Sequence, residues 1–273
     1  ASALIHDLQR ERGASSGYVE SGGQKFTATL AAARARTDAA MTSYSKIVDA
    51  LLLENDANIP AQKLSTVSSA ISQVGDIRRE TNALKSSSNK IKEYYTSTIA
   101  SLLALMDELV NLASDITVYR SAAAYIEIVY AKEKAGQERA MGAIWFSSGA
   151  FDPNFHIRFI ELSMSQSDHI SRFREHASPE QLTYLTSILA GDAVREVTRL
   201  RKVAINSSQT GHIDGIDADN WFNVATERIE LLKTLENRLA EGLHRQTAET
   251  GSEARNDFLT MSVLTILLLA ITV

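Results

Sequence analysis

The sequence predicts an all-α fold with long helices. Three observations carry this: apolar residues recur at helical spacing over nearly the whole chain, turn residues are scarce, and the pattern repeats. Only 3 prolines and 13 glycines punctuate 273 residues, too few for a sandwich or barrel of short strands. An apolar fraction of 44% against 22% charged is the balance of a packed globular chain.

The elements follow in order. A first helix is expected over 2–21, closed by Gly22-Gly23, and a second over 24–54, closed by the polar stretch 55–59. Pro60 suits the first turn of a third helix reaching about Lys85, because its missing N–H needs no partner there. The Ser86–Asn89 cluster breaks the chain before a fourth helix, 90–113, and a fifth covers 115–148. Asp152-Pro153 opens a sixth to His176, and Ser178-Pro179-Glu180 opens a seventh ending near Asn206. The segment 207–216 reads as a loop, and an eighth helix starts near Asp217. From Phe258 to Val273 the chain carries no charge, so 258–273 is expected to begin a transmembrane helix, with 1–257 as the helical domain before it.

Glu11-Arg12-Gly13-Ala14 aligns with Glu138-Arg139-Ala140-Met141 at a separation of 127 residues. The same separation pairs Tyr94-Tyr95 with Trp221-Phe222, while Pro60 and Pro179 differ by 119. The expected architecture is therefore two successive four-helix bundles, about 1–113 and 115–245.

Composition excludes several functions. There is no cysteine, hence no disulfide, zinc–thiolate or thiol chemistry. A net charge of −5 argues against a nucleic-acid partner. Gly13–Gly17 matches G-x-S-x-G but lies in a helical pattern, where a nucleophile elbow needs a preceding strand. Glu241 and His244 make a single E-x-x-H, and the histidines are scattered, so neither a metal nor a cofactor is expected. No nucleophile–base constellation supports an enzyme.

Three arginines stand on apolar helix faces. Arg12 is four residues after Leu8, Arg139 four after Ala135, and Arg228 four after Val224. A buried cation needs an anionic partner. Glu11, Asp107, Glu138 and Glu227 are internal candidates. The other possibility is a small planar oxyanion held by the guanidinium forks.

At these residues the sequence resembles the nitrate- and nitrite-sensing (NIT) domain family. The stretch 4–18 (LIHDLQRERGASSGY) resembles that family's opening helix, and Gln137-Glu138-Arg139-Ala140 and Trp221–Leu232 supply two further motifs. Ala140 departs from the pattern, where the first repeat has Gly13. The resemblance implies a nitrate or nitrite pocket lined by arginines, which fall on Arg12, Arg139 and Arg228. Together with the apolar tail it implies a periplasmic sensor on the inner membrane, of chemoreceptor or sensor-kinase type and homodimeric. Binding would draw the three mutually repelling guanidiniums together. The alternative is a helical interaction module, or a receptor for another small ligand, with internally paired arginines.

Overall fold

The computed structural model describes residues 2–53, 60–149, 152–211, 213 and 216–271, with nothing described of the side chains from 250 onward. Among these residues every regular element is a helix. In chain order they are α1 (Ser2–Glu20), α2 (Thr27–Leu53), α3 (Ala61–Ser72), α4 (Val74–Asn82), α5 (Ser88–Asn111), α6 (Ile116–Ser148), α7 (Pro153–His176), α8 (Pro179–Leu189), α9 (Asp192–Thr210) and α10 (Ala218–Ile271).

Helix starts are set by side-chain caps. Asp115 accepts from the backbone N–H groups of Thr117 and Val118 at 2.8 Å each, and Asp152 does the same for Asn154 and Phe155. Ser178 and Gln181 form a reciprocal capping box, with Pro179 at the first helical position. Gly149 and Gly211 close α6 and α9 in the left-handed region, at φ 63° and 73°, which glycine adopts without steric cost.

The expected third and seventh helices are each broken once. Gln73 caps the end of α3 and the start of α4, and Ala190-Gly191 separates α8 from α9. The expected loop from 207 is instead helical to Thr210. Both breaks fall at corresponding places, so α1–α5 and α6–α10 follow one plan.

Helix α1 packs on α2, α4 and α5, while α6 packs on α7 and α10, and α10 on α8 and α9. The apolar core does not stop at the boundary near residue 114. One buried cluster joins Leu8 of α1 and Tyr95 of α5 to Val129 of α6, Phe173 of α7 and Leu235 of α10. A second cluster is aromatic. Trp145, Phe146, Phe159 and Trp221 meet with ring centroids 5.2 to 5.6 Å apart. Gly142 makes this packing possible, since a Cβ there would overlap the Trp221 indole.

Two buried carboxylates tie α4 and α9 to the helices beside them. Glu11 accepts from Arg78 Nε and Nη2 at 2.7 and 2.9 Å, and from the Tyr95 hydroxyl at 2.7 Å. Glu138, its repeat counterpart, accepts from Arg201 Nε and Nη2 at 2.7 and 2.5 Å. Burial pushes the Glu11 carboxyl up, but hydrogen bonds from Arg78, Thr37 and Tyr95 outweigh it and hold the group below the usual carboxylate range.

No described helix is long and apolar enough to cross a membrane. The side chains of 258–273, where a membrane segment was expected, lie outside the described residues; only the backbone of α10 is described there, as helix to Ile271.

Three outcomes are expected from this packing. Gly142→Ala should lower stability by about 1–2 kcal/mol in urea unfolding, because overpacking exceeds the gain in helix propensity. Gly242→Ala, on α10 with nothing within 4 Å, should raise it by about 0.5–1 kcal/mol. Arg78→Ala strands the Glu11 carboxylate and should cost about 3–5 kcal/mol at pH 7. In the wild type the Glu11 carboxyl lies below its unfolded value, so its stabilisation is present above that value and is lost as pH falls. The difference between variant and wild type should therefore shrink toward acid pH.

Candidate anion-binding site

Arg12 lies on the buried face of α1, one turn after Leu8, and reaches across to α6. Its Nη1 and Nη2 donate to Glu133 Oε1 and Oε2 at 2.6 and 3.1 Å, a two-pronged pairing, and Nη1 also reaches Thr96 Oγ1 at 2.8 Å. Glu133 is buried and accepts two more hydrogen bonds, from Gln9 Nε2 at 2.7 Å and Gln137 Nε2 at 2.6 Å. Burial pushes its carboxyl up, but the Arg12 charge and these hydrogen bonds hold it below the ordinary range. Gly136 leaves room beside this pair, since a Cβ there would meet only Arg12 Nη2, at 3.8 Å.

Arg139, two turns further along α6, has no comparable counter-ion. Its Nη1 donates to Thr226 Oγ1 at 2.9 Å, its guanidinium lies 4.7 Å over the Phe222 ring, and its Nε is buried without a hydrogen-bond partner. Trp221 fixes α10 here by donating from Nε1 to the Arg139 carbonyl at 3.0 Å. Burial lowers the Arg139 pKa, and the like charge of Arg12 lowers it further; only Glu230, on an exposed position, opposes this. Gly136, one turn before Arg139 on α6, lies against Arg12 Nη2, and the two like charges repel, while the buried Glu133 carboxylate pairs with Arg12.

Arg228 belongs to a second neighbourhood. Its Nη1 donates to Gln166 Oε1 at 2.6 Å, and Gln166 also bonds Arg201 and Glu138. Burial, then the like charge of Arg201, pulls the Arg228 pKa down to about 10 against the opposing charge of Glu138. Arg139 thus feels the charge of Arg12, while Arg228 feels those of Arg201 and Glu138.

Of the carboxylates expected to neutralise them, Glu11 serves Arg78, Glu138 serves Arg201, and Asp107 accepts from Tyr130. The carboxylate that meets Arg12 is Glu133, which the sequence reading missed. Arg78 and Arg201 were missed too, though a signal existed: each follows a buried apolar residue, Ile77 or Leu200, and stands four positions after another, Val74 or Val197. None of Arg12, Arg139 and Arg228 lines either of the two clefts that stand out on the surface, one between α3 and α5 and one on α8–α9. His169 pairs with Glu127 at 2.6 Å and stacks on Tyr130, and no described group of three or more His, Asp or Glu side chains is arranged to hold a metal.

Comparison with known proteins adds three findings. The chain is 28% identical over 242 residues to the nitrate regulatory protein of Klebsiella oxytoca, covering 87% of this chain and 59% of that protein. The chain therefore spans about three fifths of that relative's length. Its fold is similar to that of the NasR transcription antiterminator, with a TM-score of 0.78 at 24% identity over 91% of this chain and 66% of that one.

These relatives correct several expectations. A chemotaxis receptor, an inner-membrane location and a periplasmic sensor are not supported: the relatives are a regulatory protein and an antiterminator, and no described helix is long and apolar enough to span a bilayer. The exclusion of nucleic acid also falls, because the chain shares its fold with a transcription antiterminator. Net charge had carried that exclusion, and it describes only these residues, whereas both relatives are longer than the part they share with this chain. Finally, the model of the nitrate and nitrite sensing (NIT) family matches residues 3–244, and the chain belongs to that family.

Proposed function

We propose that this chain is a non-enzymatic sensor module that binds nitrate or nitrite between Arg12 of α1 and Arg139 of α6. The observation that carries this is the Arg139 guanidinium, which has no carboxylate of its own and a buried donor left unfilled, beside the like charge of Arg12, whose carboxylate is Glu133. A small planar monoanion balances that charge and matches the guanidinium fork. Arg228 completes the arginine set from α10. It stands in its own network with Gln166, so it responds to the anion through the α6–α10 packing rather than through direct contact.

The site also suggests how binding is passed on. An anion bridging Arg12 and Arg139 ties α1 to α6, and Arg139 is hydrogen-bonded to Thr226 of α10. Occupancy then biases how α10 sits on α6, to the extent that the anion prefers one packing over the other. The setting of the longer relatives, a nitrate regulatory protein and a transcription antiterminator, is proposed for this chain only as the kind of protein in which such a module works.

A second reading has one observation in its favour: Arg12 is already paired with Glu133. On that reading the bundle is an interaction module, and its stability is indifferent to nitrate.

Melting scans with nitrate, nitrite, chloride and sulfate at fixed ionic strength separate the two. Nitrate or nitrite should raise the melting temperature above the chloride control. In calorimetry Arg139→Gln should weaken nitrate binding at least tenfold, the loss of a charge-assisted hydrogen bond of about 1.5–3 kcal/mol. Arg228→Gln should weaken it less. Equal melting in all four salts would favour the interaction module.

A further inference from the structure

We propose that Glu133 is an internal stand-in for the ligand, a tethered oxyanion that holds Arg12 until nitrate or nitrite takes its place. The inference rests on the binding reading above and names how that site is regulated.

Three features of the site point to it. A carboxylate is a planar oxyanion of one negative charge, so its two oxygens occupy the Arg12 fork as nitrate would. It is also held independently of Arg12. Gln9 Nε2 and Gln137 Nε2 donate to it from α1 and α6, at 2.7 and 2.6 Å, so it keeps two hydrogen bonds when Arg12 lets go. Finally, Arg12 has another direction open to it. Thr96 Oγ1 stands 2.8 Å from its Nη1, and on the other side Gly136 presents no side chain. Four donor contacts fill the acceptor sites of the buried carboxylate, and the two from Gln9 and Gln137 remain in the state in which the arginine has turned to a different anion.

Freed from Arg12, Glu133 acts more strongly on its neighbour Lys132, which already feels its charge. Lys132 is buried and paired at 2.5 Å with Glu236 of α10. The exchange of partners at Arg12 therefore bears on an ion pair between α6 and α10, two turns below the Arg139–Thr226 contact.

The test compares the full chain with Glu133→Gln and Glu133→Asp by calorimetry, titrating potassium nitrate at ionic strength held with potassium chloride. Removing the tethered competitor should tighten nitrate binding about tenfold in Glu133→Gln, and the shortened carboxylate of Glu133→Asp should give a smaller tightening. Nitrate should also raise the melting temperature of Glu133→Gln by more than that of the wild type. Equal or weaker nitrate affinity in Glu133→Gln, with helical circular dichroism unchanged, overturns the inference while leaving the binding reading intact. Should Glu133→Gln not fold, the same comparison on Glu133→Asp decides. No nitrate heat in any of the three proteins overturns the binding reading and this inference with it.

Discussion

A guanidinium held from water with no carboxylate of its own, at Arg139 and again at Arg228, is the constraint on which the proposed site depends. Glu133 faces Arg12 with Arg139 close by, and Glu138 faces Arg201 with Arg228 close by. Arg139 and Arg228 are left to neutral partners, Thr226 and Gln166. A cation removed from water loses several kcal/mol of hydration unless something replaces it. In a protein selected only for stability, apolar residues would fill these places at less cost. The proposed anion site gives the uncompensated charge of Arg139 a role that stability alone does not.

Neutral partners make this arrangement tolerable. Thr226 and Gln166 accept from Arg139 and Arg228, which have no carboxylate to themselves, and the Phe222 ring supplies a negative face to Arg139. Such contacts satisfy donors without cancelling charge. The site keeps its field, which a buried aspartate in place of Thr226 would remove. By contrast, Glu11 and Arg78 form a locally neutral pair with three hydrogen bonds converging on the carboxylate, and that pair holds α4 to α1. The two kinds of buried arginine sit on the same scaffold with opposite consequences: one is structural because it is balanced, the other responsive because it is not.

Most of the fold was readable in the sequence for local reasons. Asp115, Asp152 and Ser178 act through backbone groups two or three residues away, so the starts of α6, α7 and α8 could be placed from composition alone. The break at Gln73 carried no such mark. Neither proline nor a capping side chain sits there, and the chain turns because α4 must bring Arg78 to Glu11 across 67 residues of sequence. The arginines Arg12, Arg139 and Arg228 were visible as charges on apolar faces, but periodicity gives direction and not distance. It shows that each points inward and is silent on which neighbour it meets. Glu133 escaped notice because it lies beside Lys132 and Lys134, in a run that reads as a solvated charged face.

The surroundings of Arg12 also bear on how a small anion can bind where a side chain already fills the fork. The surface clefts lie elsewhere, and the Arg12 fork is already full. An empty, dry cavity between two guanidiniums would be unstable from mutual repulsion, and a water-filled one would lose the low dielectric that strengthens binding. Filling the fork with a side chain of the same shape and charge as the ligand avoids both. The cost is affinity, because the incoming anion gains only the difference between its contacts and those of Glu133. The return is that binding necessarily rearranges side chains on both α1 and α6. A ligand dropping into a vacant hole need move nothing, whereas one that must exchange places with a carboxylate changes the protein each time it binds.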